Sequence, residues 1–322
     1  DVDVDARAVP GRRHDPAAGI EDFAAGKLLD LDDGVPGAHG HVVKGRLDRG
    51  RRFAAPSLAV FAVPATFDSM TYHLARVVHW AQNHSVAFYA TPIQRQLYQP
   101  PWAEFAVLHL FVLAGSDRLA NLVQWGSMVG SVIGVSLIAR QLGATVRGQV
   151  LSGFVCATIP MGIVQSSSTQ NDYVAAFWLV CLVHALLALE AHRSPTLALT
   201  AGASLGLAVL TKGTANVFAA PFLLFFLIKG RGRSLSRKLG QGLGVLLVLL
   251  ALNGPHYLRN FDVFGSILGP GGEGDYTYVN REFSLPVLVS NVLRNLGLHL
   301  GTPWRTVNAL VEHVITAADS AM

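Results

Sequence analysis

Charged side chains are scarce in this sequence. They account for 14% of its 322 residues, whereas an ordinary soluble domain carries about 25%. Nineteen of them lie in positions 1–52, which leaves only 27 among the other 270 residues. Hydrophobic side chains make up 51% of the chain, the mean hydropathy is +0.39, and the apolar residues fall in blocks approaching the roughly 20 residues that cross a bilayer. The composition excludes a soluble globular enzyme and a disordered chain, and it predicts an all-α, polytopic membrane protein.

Cysteine is nearly absent, and so are the motifs of nucleotide-binding proteins. Cys156 and Cys181 both lie inside apolar blocks, which excludes a disulfide-stapled secreted domain and offers no metal-ligand spacing. The sequence contains neither a phosphate-binding loop nor a dinucleotide fingerprint, which argues against a nucleotide-sugar donor. The net charge of +4 comes from basic residues in short loops between apolar blocks, a pattern that indicates membrane orientation and predicts no nucleic-acid partner.

The chain is predicted to have three parts. Residues 1–52 lack any helical or strand period, which predicts a disordered tail or a stretch that is not native. Residues 53–253 are predicted to form a transmembrane helix bundle of about seven spans. Residues 254–322 are predicted to be an extracytoplasmic amphipathic segment, and the pattern that breaks off at Met322 predicts a truncated chain. The apolar blocks are 53–67, 102–115, 119–139, 149–165, 173–189, 196–211, 214–228 and 239–253, of which 102–115 is interpreted as a short juxtamembrane helix.

The positive charges predict the orientation of the bundle. The strongly basic loop 229–238 is expected in the cytoplasm. Counting back along the spans places the first loop, 68–101, outside, together with the polar turns at 166–172 and 211–213. We therefore expect an integral protein of the bacterial inner (plasma) membrane, with its polar clusters on the extracytoplasmic face.

Two polar clusters lie in or beside the first external loop. Asp68 directly follows the first apolar block, and Tyr72 and Arg76 share a helical face with it, with His73 beside them. The second cluster, 91–105, supplies a cation and an acid, which are Arg95 and Glu104. Both clusters can also be explained without function, as an interfacial helix at the lipid headgroups and as a solvated charge at a helix start.

Two further clusters lie later in the chain. Asp172 opens a span, and an acid at membrane depth costs about 2.5–3.5 kcal/mol, so it is a functional-site hypothesis by default. The alternative is a helix N-cap made by Thr169, Asn171 or Asp172. Lys212 lies in a tight turn between two spans, where it would either extend to the headgroups or bind an anionic lipid phosphate.

The four clusters together suit an enzyme that handles a lipid phosphate. A carboxylate can take a proton from an acceptor hydroxyl, and cations can stabilise the charge on a phosphate leaving group. Asp68 and Asp172 could share a divalent metal ion, but such ions usually need six or more oxygen ligands. No metal site or certain cofactor is predicted, and a divalent metal remains possible.

The order of these motifs resembles that of the GT-C superfamily of polytopic glycosyltransferases, in particular the branch of protein O-mannosyltransferases and the aminoarabinose transferase of lipid A. The chain departs from the mannosyltransferases at Asp68-Ser69, where they carry Asp-Glu. The resemblance covers about 60–300 and is carried by FDSMTYHLARVVHWAQN at 67–83, PIQRQLYQPPWAEF at 92–105, QSSSTQNDYVAAFWL at 165–179 and GLAVLTKGTA at 206–215.

The resemblance implies a sugar donor linked to polyprenyl phosphate, transfer on the outer face and inversion at the anomeric carbon. It implies catalytic roles for Asp68 and Asp172, with Lys212 on the donor phosphate. Partners would be the lipid-linked sugar, membrane lipids and an acceptor that is a lipid, a glycan or a protein. To the donor phosphate we also assign Arg76 and Arg95, and to substrate binding we assign Tyr72, His73, Glu104 and Asn171.

Two other functions remain as alternatives. A transporter or flippase for a lipid-linked substrate would place its polar residues at mid-membrane in broken helices, whereas here they cluster at one boundary. An inactive fragment of such a protein is the other alternative, since the tail at 1–52 and the abrupt end are unusual.

Overall fold

The computed structural model describes Pro64 and residues 66–192, 194–229, 235–270, 283–302 and 304–320. The chain divides into two units, Asp1–Arg52 and Phe53–Met322. The predicted tail lies outside the described residues, and so do most of the predicted first span and residues 230–234 of the basic loop at 229–238.

Every regular element in the described ranges is a helix, which confirms the predicted all-α class. A π-helical turn at Ser69–His73 leads into the first α-helix, and a single 3-10 turn at Asp117–Leu119 precedes the fourth. The α-helices are α1 (Leu74–Asn83), α2 (Arg95–Tyr98), α3 (Trp102–Ala114), α4 (Leu122–Gln141), α5 (Val146–Ala157), α6 (Pro160–Gln165), α7 (Asp172–Ala191), α8 (Pro195–Thr211), α9 (Ala215–Lys229), α10 (Leu235–Phe264), α11 (Leu285–His299) and α12 (Arg305–Ser320).

Several helices are apolar enough for a bilayer. In the described part of the chain, the segments Asp117–Gln141, Asp172–Ala191 and Leu239–Phe264 have the length and hydropathy of membrane spans, and α3, α8 and α9 are shorter apolar helices. The 13 residues of α3 rise only about 20 Å, short of the roughly 30 Å hydrocarbon core. This length agrees with a juxtamembrane helix, while the number of spans stays a prediction.

Two apolar blocks differ from the helices that they form. The block 149–165 is divided between α5 and α6, because Pro160 has no N–H to continue a helix and instead opens the next one. The last block ends at 253, but α10 continues to Phe264. Its final turns carry buried polar side chains that lower the hydropathy without ending the helix, namely Asn253, His256 and Asn260.

The bundle is built around small residues at the contacts of α7, α8, α9 and α10. Without a hydrophobic driving force in lipid, close packing of this kind holds helices together. The buried cluster consists of Leu182, Ala185, Leu186, Ala201, Leu205, Ala208, Val209, Ala215 and Ala219. A second buried cluster joins α1 to α3 and to the start of α4, and it consists of Leu74, Val77, Val107 and Ala120. This second cluster attaches the loop between α1 and α3 to the bundle.

A Gly-x-x-x-Gly pair on α8 packs closely against α10. A Cβ atom added at Gly202 would lie 3.0 Å from the Cα atom of Val245 on α10. One turn later, the carbonyl oxygen of Gly206 accepts a hydrogen bond of 3.0 Å from the Asn253 side-chain amide. A Cβ atom added at Gly206 would lie 3.3 Å from the Cα atom of Leu249, so the separation of α8 and α10 leaves little room for a side chain at either glycine.

We expect Gly202→Val to lower the free energy of unfolding by about 1–3 kcal/mol, because the new side chain overpacks a contact that involves backbone atoms. Gly240→Val on α10 is the matched control, since an added Cβ atom there meets nothing within 4 Å. Thermal unfolding of both variants in detergent measures the difference. Equal stability of the two variants would contradict the close contact of α8 with α10.

Candidate active site

Three of the four polar clusters meet at the loop that precedes α7. The side-chain amide of Gln170 lies 3.5 Å from Asp68 Oδ2. Asn171 Nδ2 donates to the carbonyl oxygen of Thr211 at 2.9 Å, and Lys212 Nζ donates to Asp172 Oδ1 at 2.5 Å. The consecutive residues 170–172 thus connect Asp68 to the turn that follows α8.

Asp68 stands at the beginning of the π-helical turn and is half-buried. Short π-helical insertions occur frequently at functional sites. Tyr72 hydrogen-bonds to the Asp68 carboxylate; burial and the Asp68 charge raise the pKa of Tyr72, and the nearby charge of Arg95 opposes this rise. Tyr72 is consequently a neutral phenol that donates to Asp68, and the half-buried carboxylate keeps access to solvent.

The ion pair between Lys212 and Asp172 lies at the edge of the bundle. The side chains are 38% and 43% exposed respectively. Exposed ion pairs contribute only about 0–1 kcal/mol to stability. The Lys212 ammonium can therefore exchange Asp172 for another anion at little energetic cost.

The beginning of α7 is held by residues from other helices. Gln124 Oε1, on α4, accepts from the backbone N–H groups of Tyr173 and Val174 at 3.1 and 3.3 Å. Asn171 precedes the helix, and its side chain is used for Thr211 instead of capping α7. The loop is thereby fixed against α4 and α8 at once.

A buried ionic network lies beneath the loop between α1 and α3. Arg76 is 0% and Glu104 2% exposed; the Arg76 guanidinium lies 3.8 Å from one Glu104 oxygen, and His73 Nδ1 lies 2.5 Å from the other. Burial raises the pKa of the Glu104 carboxyl, but the charge of Arg76 and the hydrogen bond from His73 outweigh it and hold that pKa below its usual value. Glu104 is therefore an ionised, internal counterion.

Arg76 also fastens the loop itself. Its guanidinium donates to the backbone carbonyl oxygens of Gln96, Arg95 and Gln99 at 2.5, 2.9 and 3.0 Å. These partners are backbone groups of the protein itself, whereas the sequence analysis assigns Arg76 to the donor phosphate. The assignment of Arg76 to the donor phosphate stays a prediction, and so do the assignments of His73 and Glu104 to substrate binding. Their contacts place all three side chains under the loop and not on an open surface.

Gln96 is an important residue that the sequence analysis missed. Its side-chain amide donates to the Thr71 carbonyl oxygen at 2.7 Å and accepts from the hydroxyl groups of Tyr89 and Thr91 at 2.9 and 3.2 Å. Burial raises the pKa of Tyr89 to about 12, so this phenol remains a donor. Nothing in the local sequence distinguishes Gln96 from the other glutamines of the loop.

The last turns of α10 also hold the loop between α1 and α3. His256 Nε2 and Asn260 Nδ2 lie 3.1 and 3.2 Å from the carbonyl oxygen of Tyr98, and Arg259 donates to the carbonyl oxygen of Val86 at 3.0 Å. The sequence contains a signal for this contact that we did not use. Asn253, His256 and Asn260 follow a spacing of three and four, which forms a polar stripe on an apolar helix.

The two site acids contact different groups of the protein. Asp68 contacts Tyr72 and Gln170, and Asp172 contacts Lys212. Within the described ranges, no group of three or more His, Cys, Asp or Glu side chains could hold a metal ion.

Comparison with known proteins agrees with this architecture. Residues 98–257 match the family described as dolichyl-phosphate-mannose-protein mannosyltransferase. No curated protein matches the chain. Among solved structures, ArnT from Cupriavidus metallidurans in the apo state superposes with a TM-score of 0.56 at 15% sequence identity.

The superposition covers 87% of this chain and 60% of ArnT, so the chain spans about three-fifths of the length of that protein. The likeness establishes a shared helical membrane fold. The family match runs from the last residue of α2 into α10, and it includes the loop before α7 and the turn after α8. The family match and the shared fold together support a member of the GT-C superfamily of polytopic membrane glycosyltransferases.

Proposed function

We propose that this chain is a membrane glycosyltransferase that moves a sugar from a polyprenyl-phosphate donor to an acceptor on the outer face of the bacterial inner membrane. The single observation that carries the proposal is the series of contacts that joins Asp68, the Gln170–Asp172 loop and Lys212 into one site. A proton-accepting carboxylate and a phosphate-binding cation are the two groups that this transfer needs.

The reaction assigns a separate task to each end of the site. The Asp68 carboxylate takes the proton of an acceptor hydroxyl, whose oxygen attacks the anomeric carbon of the sugar. The bond between that carbon and the phosphate oxygen breaks, and its electron pair leaves with the polyprenyl phosphate. The Lys212 ammonium stabilises the negative charge of this leaving group. Attack opposite to the leaving group inverts the anomeric configuration.

The other predicted site residues are divided between these two ends. Tyr72 orients Asp68 through its hydrogen bond, and Arg95, whose charge reaches Tyr72, is proposed to contribute positive charge toward the donor phosphate. Asp172 is proposed to act on the donor side, since its carboxylate holds Lys212 at 2.5 Å until the phosphate arrives. The acceptor is a lipid, a glycan or a protein that presents a hydroxyl group.

We expect Lys212→Ala to lower transfer by about 10- to 100-fold, because a charge-assisted hydrogen bond is worth about 1.5–3 kcal/mol. The assay follows radiolabel from polyprenyl-phosphate sugars to an acceptor in membranes that carry equal amounts of each variant. Lys229→Ala, at the far end of α9, is the matched control and should transfer as the wild type does. Unchanged transfer by Lys212→Ala would remove Lys212 from the donor site.

A further inference from the structure

Two consecutive residues before and at the start of α7 contact two consecutive residues at the end of α8. Asn171 bonds to the Thr211 carbonyl oxygen, and Asp172 bonds to the Lys212 ammonium. The first contact is buried, since Asn171 and Thr211 are 5% and 0% exposed, whereas the ion pair is open to solvent. Water weakens the ion pair but does not reach the hydrogen bond between the Asn171 side chain and the Thr211 carbonyl oxygen. The contact made by Asn171 is therefore the firmer of the two.

Asn171 does not do what an asparagine usually does at its position. It occupies the N-cap of α7, where an Asn side chain ordinarily accepts from the first free N–H groups of the helix. Here it makes no such bond, and Gln124 from α4 accepts from those N–H groups instead. The Asn171 amide is thus released for Thr211, and a second helix supplies the cap.

The hydrogen bond from Asn171 helps to fix the peptide unit between Thr211 and Lys212. The carbonyl oxygens of the last helical turn have no partner within the helix, and the Thr211 oxygen belongs to this group. The N–H of Lys212, on the same peptide unit, donates to the Ala208 carbonyl oxygen at 2.9 Å. With both its oxygen and its N–H held, this peptide unit restricts the direction in which the Lys212 side chain leaves the backbone.

We propose that Asn171 is a positioning residue for Lys212 and, through it, for the phosphate of the lipid donor. This inference rests on the proposed function, because it requires Lys212 to bind that phosphate. Loss of the Asn171 amide leaves Lys212 charged but frees the peptide unit before it, so the ammonium is no longer held where the phosphate binds. The affinity for a polyprenyl phosphate falls by about tenfold, the effect of one hydrogen bond.

The test uses undecaprenyl phosphate as the probe and the full chain in lipid nanodiscs. Its dissociation constant is measured for wild type, Asn171→Ala, Lys212→Ala and the double variant. Each single variant binds the probe more weakly, and the double variant binds no more weakly than Lys212→Ala alone, because Asn171 acts through Lys212. Asn216→Ala is the matched control: its exposed amide donates to the Gly213 carbonyl oxygen at 3.3 Å in the same turn, and its loss leaves the dissociation constant unchanged.

The outcomes separate this inference from the proposed function. If Lys212→Ala weakens binding and Asn171→Ala does not, the inference fails and the donor site stands. The inference is also overturned if the dissociation constant of the double variant rises by the product of the two single-variant fold-changes, since Asn171 then acts independently of Lys212. If Lys212→Ala binds the probe as wild type does, the donor site itself fails. Asn171→Leu keeps the branching at Cγ without a hydrogen-bond donor, and it is judged by the same criteria if the alanine variant does not fold.

Discussion

Asp68→Asn is expected to lower the rate of sugar transfer by about 100- to 10,000-fold, the contribution of a positioned general base. The substitution keeps the size of the side chain and its ability to accept from Tyr72, but an amide cannot take the proton of the acceptor hydroxyl. Binding of the lipid donor should be unchanged, because Lys212 and Asp172 lie at the other end of the site. The turnover number for label transfer measures the loss.

Asp262→Asn is the matched control for this substitution. Asp262 lies on α10 and is exposed, so the neutral amide there should leave transfer unchanged. Full activity of Asp68→Asn, with the protein inserted in the membrane, would contradict the role of Asp68 as the base. A loss that is entirely accounted for by weaker donor binding would also contradict it, since that result would assign Asp68 to the donor.

Arg76→Met is expected to lower the free energy of unfolding by about 3–5 kcal/mol, because removing one member of a buried ion pair leaves the other charge uncompensated. The variant removes the counterion of Glu104 and leaves the carbonyl oxygens of Arg95, Gln96 and Gln99 without their donor. The loop between α1 and α3 should then become sensitive to protease before the bundle unfolds. Chemical unfolding in detergent and limited proteolysis measure the two effects.

Arg259→Met provides the comparison for Arg76→Met. Arg259 is half-buried, donates to a single carbonyl oxygen, that of Val86, and lies over the Phe88 ring, so we expect a smaller loss of about 1–2 kcal/mol. If Arg76→Met is as stable as wild type and binds undecaprenyl phosphate more weakly, Arg76 is a donor ligand and the internal role is wrong.

The class of fold could be predicted from composition, because a chain with so few charges and so many apolar blocks has few stable alternatives to a helix bundle in lipid. The ends of helices were less predictable. Hydropathy marked the end of the last block at 253, but α10 continues to Phe264, since buried partners for Asn253, His256 and Asn260 come from distant parts of the chain. A pattern along one helix carries no information about such partners.

The clusters of the candidate site could be identified from the sequence, because Asp68, Asp172 and Lys212 are polar residues at the ends of apolar blocks. Their contacts could not. The sequence left open whether Asn171 caps a helix or serves a site, and its contact with Thr211 depends on how α7 packs against α8. The burial of Arg76 depends in the same way on α3 and the loop above it, so an arginine on a helical face looked accessible when it is not.

The most direct test of the account follows the sugar label during incubation of the wild-type chain in proteoliposomes with radiolabelled polyprenyl-phosphate sugars and cell-envelope acceptors. We predict that the label leaves the lipid and becomes covalently attached to an acceptor, with unlabelled polyprenyl phosphate as the second product. Label that stays on the lipid and moves from one leaflet to the other would contradict the account and establish a flippase. Label that neither leaves the lipid nor crosses the bilayer, with every donor supplied, would contradict a transferase activity of this chain.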